Sequence, residues 1–185
     1  MSKLSCVVAV NVLAIVIISL ASPLPVLAVD PSMVDRESEA ALKLLYEGTP
    51  AARELGGKAK GILIFPNIVK AGFIFGAQYG DGELLKGGQV AGRYNITAVS
   101  YGLQAGFQAF AYVMFFMTDQ ALSYLDQSAG FEVGVGPSVV VLDEGMAKNV
   151  TSSTLQSDIY GFVFGQKGLM AGIGVQGSKI TKIGR

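Results

Sequence analysis

The chain has 185 residues, with 24 glycines, no histidine, no tryptophan, one cysteine, and 14 basic against 14 acidic side chains. Without histidine there is no Ser-His-Asp triad, no Cys-His pair and no imidazole metal ligand, and one cysteine makes neither an intramolecular disulfide nor a cysteine-rich zinc site. Zero net charge argues against bulk nucleic-acid binding, which needs a basic surface, and leaves a glycine-rich, apolar chain of about one domain.

Residues 1–28 read as a secretory signal peptide. Lys3 precedes an uncharged run from Leu4 to Leu20, Pro23 and Pro25 then break any helix, and Val26-Leu27-Ala28 supplies a cleavage site after Ala28. The alternative is a retained membrane anchor, since about 17 apolar residues is the lower limit for crossing a bilayer. Cys6 lies ahead of the cleavage site and is discarded with the leader, so the protein is not read as a lipoprotein. The expected location is periplasmic or secreted, peripherally associated with a membrane.

A helical segment follows over 29–57. Asp30-Pro31-Ser32 is a turn and N-cap signal, and Met33–Glu47 places apolar residues at 34, 41, 42, 45 and 46 on one helical face before Gly48. This helix is acidic, whereas a helix that lies on anionic membranes is rich in Lys and Arg. Thr49-Pro50 starts a second short helix through Leu55, closed by Gly56-Gly57.

From residue 58 to 185 the texture is that of a glycine-rich β core. Ile62–Phe65 reads as a buried strand stopped by Pro66-Asn67, and Gly72–Tyr79 as a second strand. Gly80-Asp81-Gly82 reads as a hairpin turn with Glu83–Lys86 returning from it, and Gly87-Gly88 as another turn. Tyr94–Thr118 carries no charge, which raises a transmembrane helix. Strict alternation between 98 and 109 favours strands instead, and Gln104 and Gln108 would be costly in lipid. Tyr112–Met117 is a further buried strand, and Thr118-Asp119 caps a short helix, Gln120–Asp126. Strands are expected at Glu132–Val135, Ser138–Leu142, Asp158–Phe164, Leu169–Val175 and Lys179–Ile183, with a turn at Gln166-Lys167-Gly168 and a polar loop over Asp143–Thr154.

Several of these strands oppose an apolar face to a face of Gly and Gln: Gln78, Gln104, Gln108 and Gln176. Glycine in strands marks strong curvature or close backbone approach. The expected fold is therefore α+β, a strongly curved antiparallel sheet or partial barrel with N-terminal helices and one short helix near 119–126.

Catalytic motifs are weak. Gly172-Ile-Gly174-Val-Gln-Gly177 matches G-x-G-x-x-G, but a strand-like segment follows where a phosphate-binding helix would be required. Asp143-Glu144 is the best carboxylate pair for a hydrolase, yet adjacent side chains in a loop diverge. Asp81 and Glu83 have too few neighbouring oxygens for calcium, and no serine lies in G-x-S-x-G. The chain is read as a non-enzyme without metal or cofactor. Asn95-Ile-Thr97 and Asn149-Val-Thr151 are glycosylation sequons, meaningful only in a eukaryotic secretory pathway.

Basic residues gather around the first strand: Lys58 and Lys60 before it, Lys70 after it, with Arg53, Lys179 and Lys182 as secondary contacts. They read either as scattered solvated side chains or as a local patch for phosphate headgroups, each lysine near an anionic surface contributing about 1 kcal/mol.

Three blocks carry a resemblance. They are Lys60-Gly-Ile-Leu-Ile-Phe-Pro-Asn-Ile-Val-Lys70 leading to Tyr79-Gly-Asp-Gly82, then Ser100-Tyr-Gly-Leu-Gln-Ala-Gly-Phe-Gln108, then Gly161-Phe-Val-Phe-Gly-Gln-Lys-Gly-Leu-Met running on to Ile180. In order and spacing the chain resembles the SYLF domain family over about 37–183, and looks like its bacterial exported branch. The resemblance implies a compact β-rich fold with N-terminal helices and phospholipid binding without catalysis. Lys58, Lys60 and Lys70 are then the expected headgroup contacts. The alternative is a structural or protein-interaction module of the envelope using the acidic helix 33–47, and actin enters as a partner only by analogy with the yeast members.

Overall fold

The computed structural model describes residues 31–127, 131–132, 138–143 and 157–184. Two helices, α1 (Pro31–Gly48) and α2 (Pro50–Lys58), precede strands β1 (Gly61–Gly72), β2 (Phe75–Lys86) and β3 (Gln89–Phe116). Helix α3 (Asp119–Gln127), strands β4 (Phe131–Glu132) and β5 (Val139–Asp143), and the long strand β6 (Ile159–Gly184) complete the chain. The expected signal peptide, Cys6, Asn149 and the loop after Asp143 through 156 lie outside the described residues. So do Val133, Gly134 and Val135 of the expected strand at 132–135.

The class is α+β, as expected, and the helices precede the sheet. One detail of the expectation is corrected. The sheet is mixed rather than wholly antiparallel, because β5 pairs with β6 in parallel, Val139 opposite Ile159. It is not closed into a barrel, in keeping with the expected open, curved sheet.

Curvature comes from the length of β3, 28 residues. Its first half pairs with β2, from Phe75–Tyr101 to Lys86–Gln89. Its second half pairs with β1, from Gly61–Phe116 to Gly72–Gly106. The β1–β2 hairpin therefore sits inside the bend of β3, and β6 follows β3 along its other edge from Arg93–Gly184 to Phe116–Ile159.

The bend divides the core. On the concave face, Leu63, Phe65, Ile68, Leu84, Tyr94, Ile96, Met114 and Phe116 pack beneath α3 through Ala121, Leu122 and Leu125. On the convex face, Ile64, Val113, Phe115, Tyr160 and Phe162 pack under α1 and α2 through Ala41, Leu45, Ala52 and Leu55. Phe115 anchors this second core, edge-on to Phe162 with ring centroids 5.6 Å apart and stacked on Tyr46 at 6.3 Å. The buried α1 positions Val34, Ser38, Ala41 and Leu45 keep helical spacing, which is why one face of that sequence is apolar. Thr118 caps α3 as expected, its Oγ1 accepting from the Ala121 amide at 3.2 Å.

The strand boundaries differ from expectation in four places. Pro66-Asn67 does not end β1; it forms a bulge between Phe65 and Ile68, and the strand continues to Gly72. The expected strand at 72–79 is broken instead, because Phe73 and Ile74 make the β1–β2 turn. Gly80-Asp81-Gly82 is not a turn but the middle of β2, paired with Ile96, Asn95 and Tyr94. Glycine is needed at 82 because a Cβ there would run into the Ile64 carbonyl and Phe65 ring of β1. Gln166-Lys167-Gly168 likewise lies within β6, at a register shift opposite Ala109–Ala111 rather than at a chain reversal. The turn expected at Gly87-Gly88 is present, with φ of 59° and 79°, the paired positive values of a tight hairpin.

Candidate functional site

The six basic residues expected to bind headgroups do not form one patch. Lys58 donates to Glu54 at 2.6 Å across one helical turn, and the Lys60 ammonium lies 4.0 Å from Asp119. Arg53 donates to the Tyr46 carbonyl at 3.2 Å. Lys182 lies 3.5 Å from Asp126, over the Tyr94 ring. Lys179 is exposed on β6 opposite Thr97. Lys70 faces the concave side of the sheet, as Lys182 does, and sits between Gln78 of β2 and Gln108 of β3 in the ladder.

Lys70 lines a cavity of about 290 Å³ whose polar wall also includes Gln78, Gln108, Gln166 and Ser178. Its apolar wall includes Ile96, Phe110, Tyr112 and Val163. The period-2 Gly/Gln face read from the sequence thus becomes a surface: Gln78 and Gln108 share it with Lys70 because β1 is flanked by β2 on one side and β3 on the other. No carboxylate is among the described side chains of the lining. One ammonium, three amides and a hydroxyl are the donor set that an oxyanion accepts from. Gln104 and Gln176 fall in the same strands, opposite Gly172 and Ser100.

Beyond this cavity the sheet ends in an apolar tip. The helices cover only the half of the convex face nearest Ile62–Ile64 and Ala111–Phe115. Past them, Phe73 (72 % exposed), Phe75 (73 %) and Val99 (74 %) stand in the open, with Ile74, Tyr79 and Phe107 also exposed. Period-2 alternation correctly gave two faces here, but the sequence could not show that α1 stops short of covering one of them.

A second polar cluster joins α1 to the sheet. Arg93 of β3 donates to Asp35 of α1 at 2.7 Å and lies 3.8 Å from Glu83 of β2. Glu83 is buried, and its Oε2, Arg93 Nη1 and Ser38 Oγ have no hydrogen-bond partner among the described residues. Burial, reinforced by a hydrogen bond with Asp35 and its charge, pushes Glu83 up to about 7; Arg93 and Ser38 offset this only in part. Asp35 is held below the usual carboxylate range by its hydrogen bonds with Glu83 and then Arg93. Sequence reading weighed Glu83 only as a calcium ligand; its role depends on the packing of α1, which no local pattern reveals. Asp81, its companion in that reading, accepts from the Tyr79 hydroxyl at 2.7 Å.

Among the described residues, no helix is long and apolar enough to cross a membrane. No curated protein matches the chain. Residues 97–183, which span most of β3, α3 and nearly all of β6, match the family model Ysc84, described as Las17-binding protein actin regulator. That family is one of binding and adaptor domains rather than a known enzyme family. With the curved β core and the glycine-rich blocks that form it, this match over 97–183 is consistent with a SYLF (Ysc84) domain protein.

Proposed function

We propose that the protein is an exported, non-enzymatic phospholipid-binding protein that acts at a cell-envelope membrane. The observation that carries this reading is the donor-lined cavity at Lys70, where an ammonium and the Gln78, Gln108 and Gln166 amides converge without a described carboxylate. Such a set suits the phosphate oxygens of a lipid headgroup, and the apolar wall of Phe110 and Val163 suits the carbon next to it. Of the lysines expected from sequence, Lys70 takes the headgroup role; Lys58 and Lys60 stand beside carboxylates and contribute little.

Co-sedimentation with anionic vesicles at low and moderate salt tests this. Lys70→Glu reverses one charge, and at about 1 kcal/mol per charge near an anionic surface it weakens binding roughly 30-fold. Lys58→Glu and Lys60→Glu leave it within a few-fold. An unchanged isotherm for Lys70→Glu removes the cavity from the site, and no binding by the folded wild-type protein removes the function.

A protein-interaction role is the second reading. It is favoured by the exposed acidic face of α1, where Glu37 and Glu39 point to solvent, and by the description of the matched family as an actin regulator. A stoichiometric partner that is lost in Glu37→Gln/Glu39→Gln supports it.

A further inference from the structure

Segments 71–80, 94–118 and 168–178 carry no charged residue. The fold brings all three to the same end of the sheet, since Ala71 pairs with both Ala77 and Phe107, Ala77 with Val99, and Val99 with Gly177. The second runs from Arg93 to Asp119, the first ends at Asp81, and lysines border the other ends. Lys70 precedes the first, Lys167 precedes the third, and Lys179 follows the third.

The ladder sets these residues at defined heights. On the convex face one row runs Lys167–Ala109–Val69–Tyr79–Thr97–Lys179, with Glu132 of β4 the next position beyond Lys179. The next same-face row toward the tip contains Phe107, Ala71, Ala77 and Val99. Beyond it lie Phe75, opposite Tyr101, and the turn residues Phe73 and Ile74. Exposed lysines therefore flank the start of a surface that becomes wholly uncharged toward its end.

We infer that this end of the sheet is a membrane-insertion tip, in which Phe73, Ile74 and Phe75 enter the acyl region of an anionic bilayer. Val99 and Phe107 lie at the interface, and Lys167 and Lys179 contact the headgroups. The inference rests on the phospholipid-binding reading and locates its membrane contact. Charge complementarity selects the occupant: Lys167 and Lys179 are the exposed cations nearest the uncharged end, and an anionic lipid surface engages both, whereas a purely apolar partner surface engages neither. The spacing also fits. Phe73 is three residues beyond Lys70, about 10 Å along an extended strand, against a headgroup layer of roughly 5–7 Å on each side of the hydrocarbon. An inserted tip thus brings the Lys70 cavity to the height of the phosphates. Aromatic side chains at the boundary, Tyr79 among them, suit the interface between water and lipid.

The test uses the full chain with Cys6→Ser, carrying Ile74→Cys or Leu44→Cys labelled with an environment-sensitive fluorophore. Both sites are exposed, one on the tip and one on α1. Vesicles of phosphatidylglycerol and phosphatidylethanolamine shift the label at 74 to the blue and leave that at 44 unchanged. Phe73→Ser/Phe75→Ser, shown folded by far-UV circular dichroism, loses at least tenfold in vesicle affinity, and Lys167→Gln/Lys179→Gln loses severalfold at low salt. A blue shift at 44 alone, or full affinity in the double-serine variant, overturns the tip while leaving lipid binding intact. Absence of any binding by the unlabelled wild type overturns both. If velocity sedimentation without lipid instead shows a dimer that Phe73→Ser/Phe75→Ser abolishes, with vesicle affinity unchanged, the tip is a contact between copies and the inference fails.

Discussion

The α1 joint makes folding stability depend on pH in a direction opposite to that of most carboxylates. Glu83 ionises near pH 7 in the folded protein against an ordinary value of 4.5. Between those values the folded state holds a proton that the unfolded chain has released, so stability falls as pH rises, by up to about 1.4 kcal/mol per pH unit for this group. From pH 5.5 to 8 the loss from Glu83 is about 2 kcal/mol. It is complete once the pH is well above the folded value and absent below 4.5. Asp35 has the opposite sign: its lowered value stabilises the fold above the ordinary Asp range and is lost only in stronger acid, so it does not mask this window. Glu83→Gln keeps a donor toward Asp35 but cannot ionise. Urea unfolding, followed by far-UV circular dichroism at pH 5.5, 7 and 8, should therefore show the wild type declining and the variant nearly flat. At pH 8 the variant is the more stable by about 2 kcal/mol. A wild-type slope that persists unchanged in Glu83→Gln refutes the assignment, because the titrating group would then lie elsewhere.

Two further changes test the packing that shapes the site. Gly82→Ala forces a methyl into the Ile64 carbonyl and the Phe65 ring, so it should destabilise by about 2–3 kcal/mol and lower Tm by roughly 5–10 °C in a thermal melt. Asp126 accepts from the buried Tyr94 hydroxyl and from Lys86, each at 3.0 Å. Asp126→Ala orphans that hydroxyl and should cost about 1–3 kcal/mol in denaturant unfolding, whereas Asp126→Asn, which keeps an acceptor, should cost less.

What the sequence made legible was whatever a local rule governs. The buried spacing of Val34, Ala41 and Leu45, the Thr118 cap and the Gly87-Gly88 turn all follow from a few adjacent residues, and all three stand in the structure. The face alternation of β2 and β3 was also legible, and it located Gln78 and Gln108 on one side. What misled were glycines and prolines read as punctuation. Asp81-Gly82 has the composition of a hairpin turn, yet Gly82 is there for a neighbour distant in sequence, the Ile64 carbonyl. Pro66 bends β1 through a bulge instead of ending it. Among the lysines, proximity in sequence to β1 said nothing about direction. Lys58 and Lys60 find nearby carboxylates, while Lys70, on the strand itself, turns inward. The exposed tip was illegible for a simpler reason. An uncharged strand looks the same whether a helix covers it or not, and only the reach of α1 decides.

The doubling of β3 against β1, β2 and β6 has a kinetic consequence. The β1–β2 and β2–β3 hairpins join neighbours in the chain, but Gly61 must find Phe116 and Arg93 must find Gly184 before either core is sealed. Such pairings give a high contact order, and chains dominated by them fold in milliseconds to seconds rather than microseconds. Until β6 arrives, one edge of β3 and the uncharged segment 94–118 remain open to other chains. Early folding, more than the finished protein, is therefore where this sequence is most exposed to aggregation.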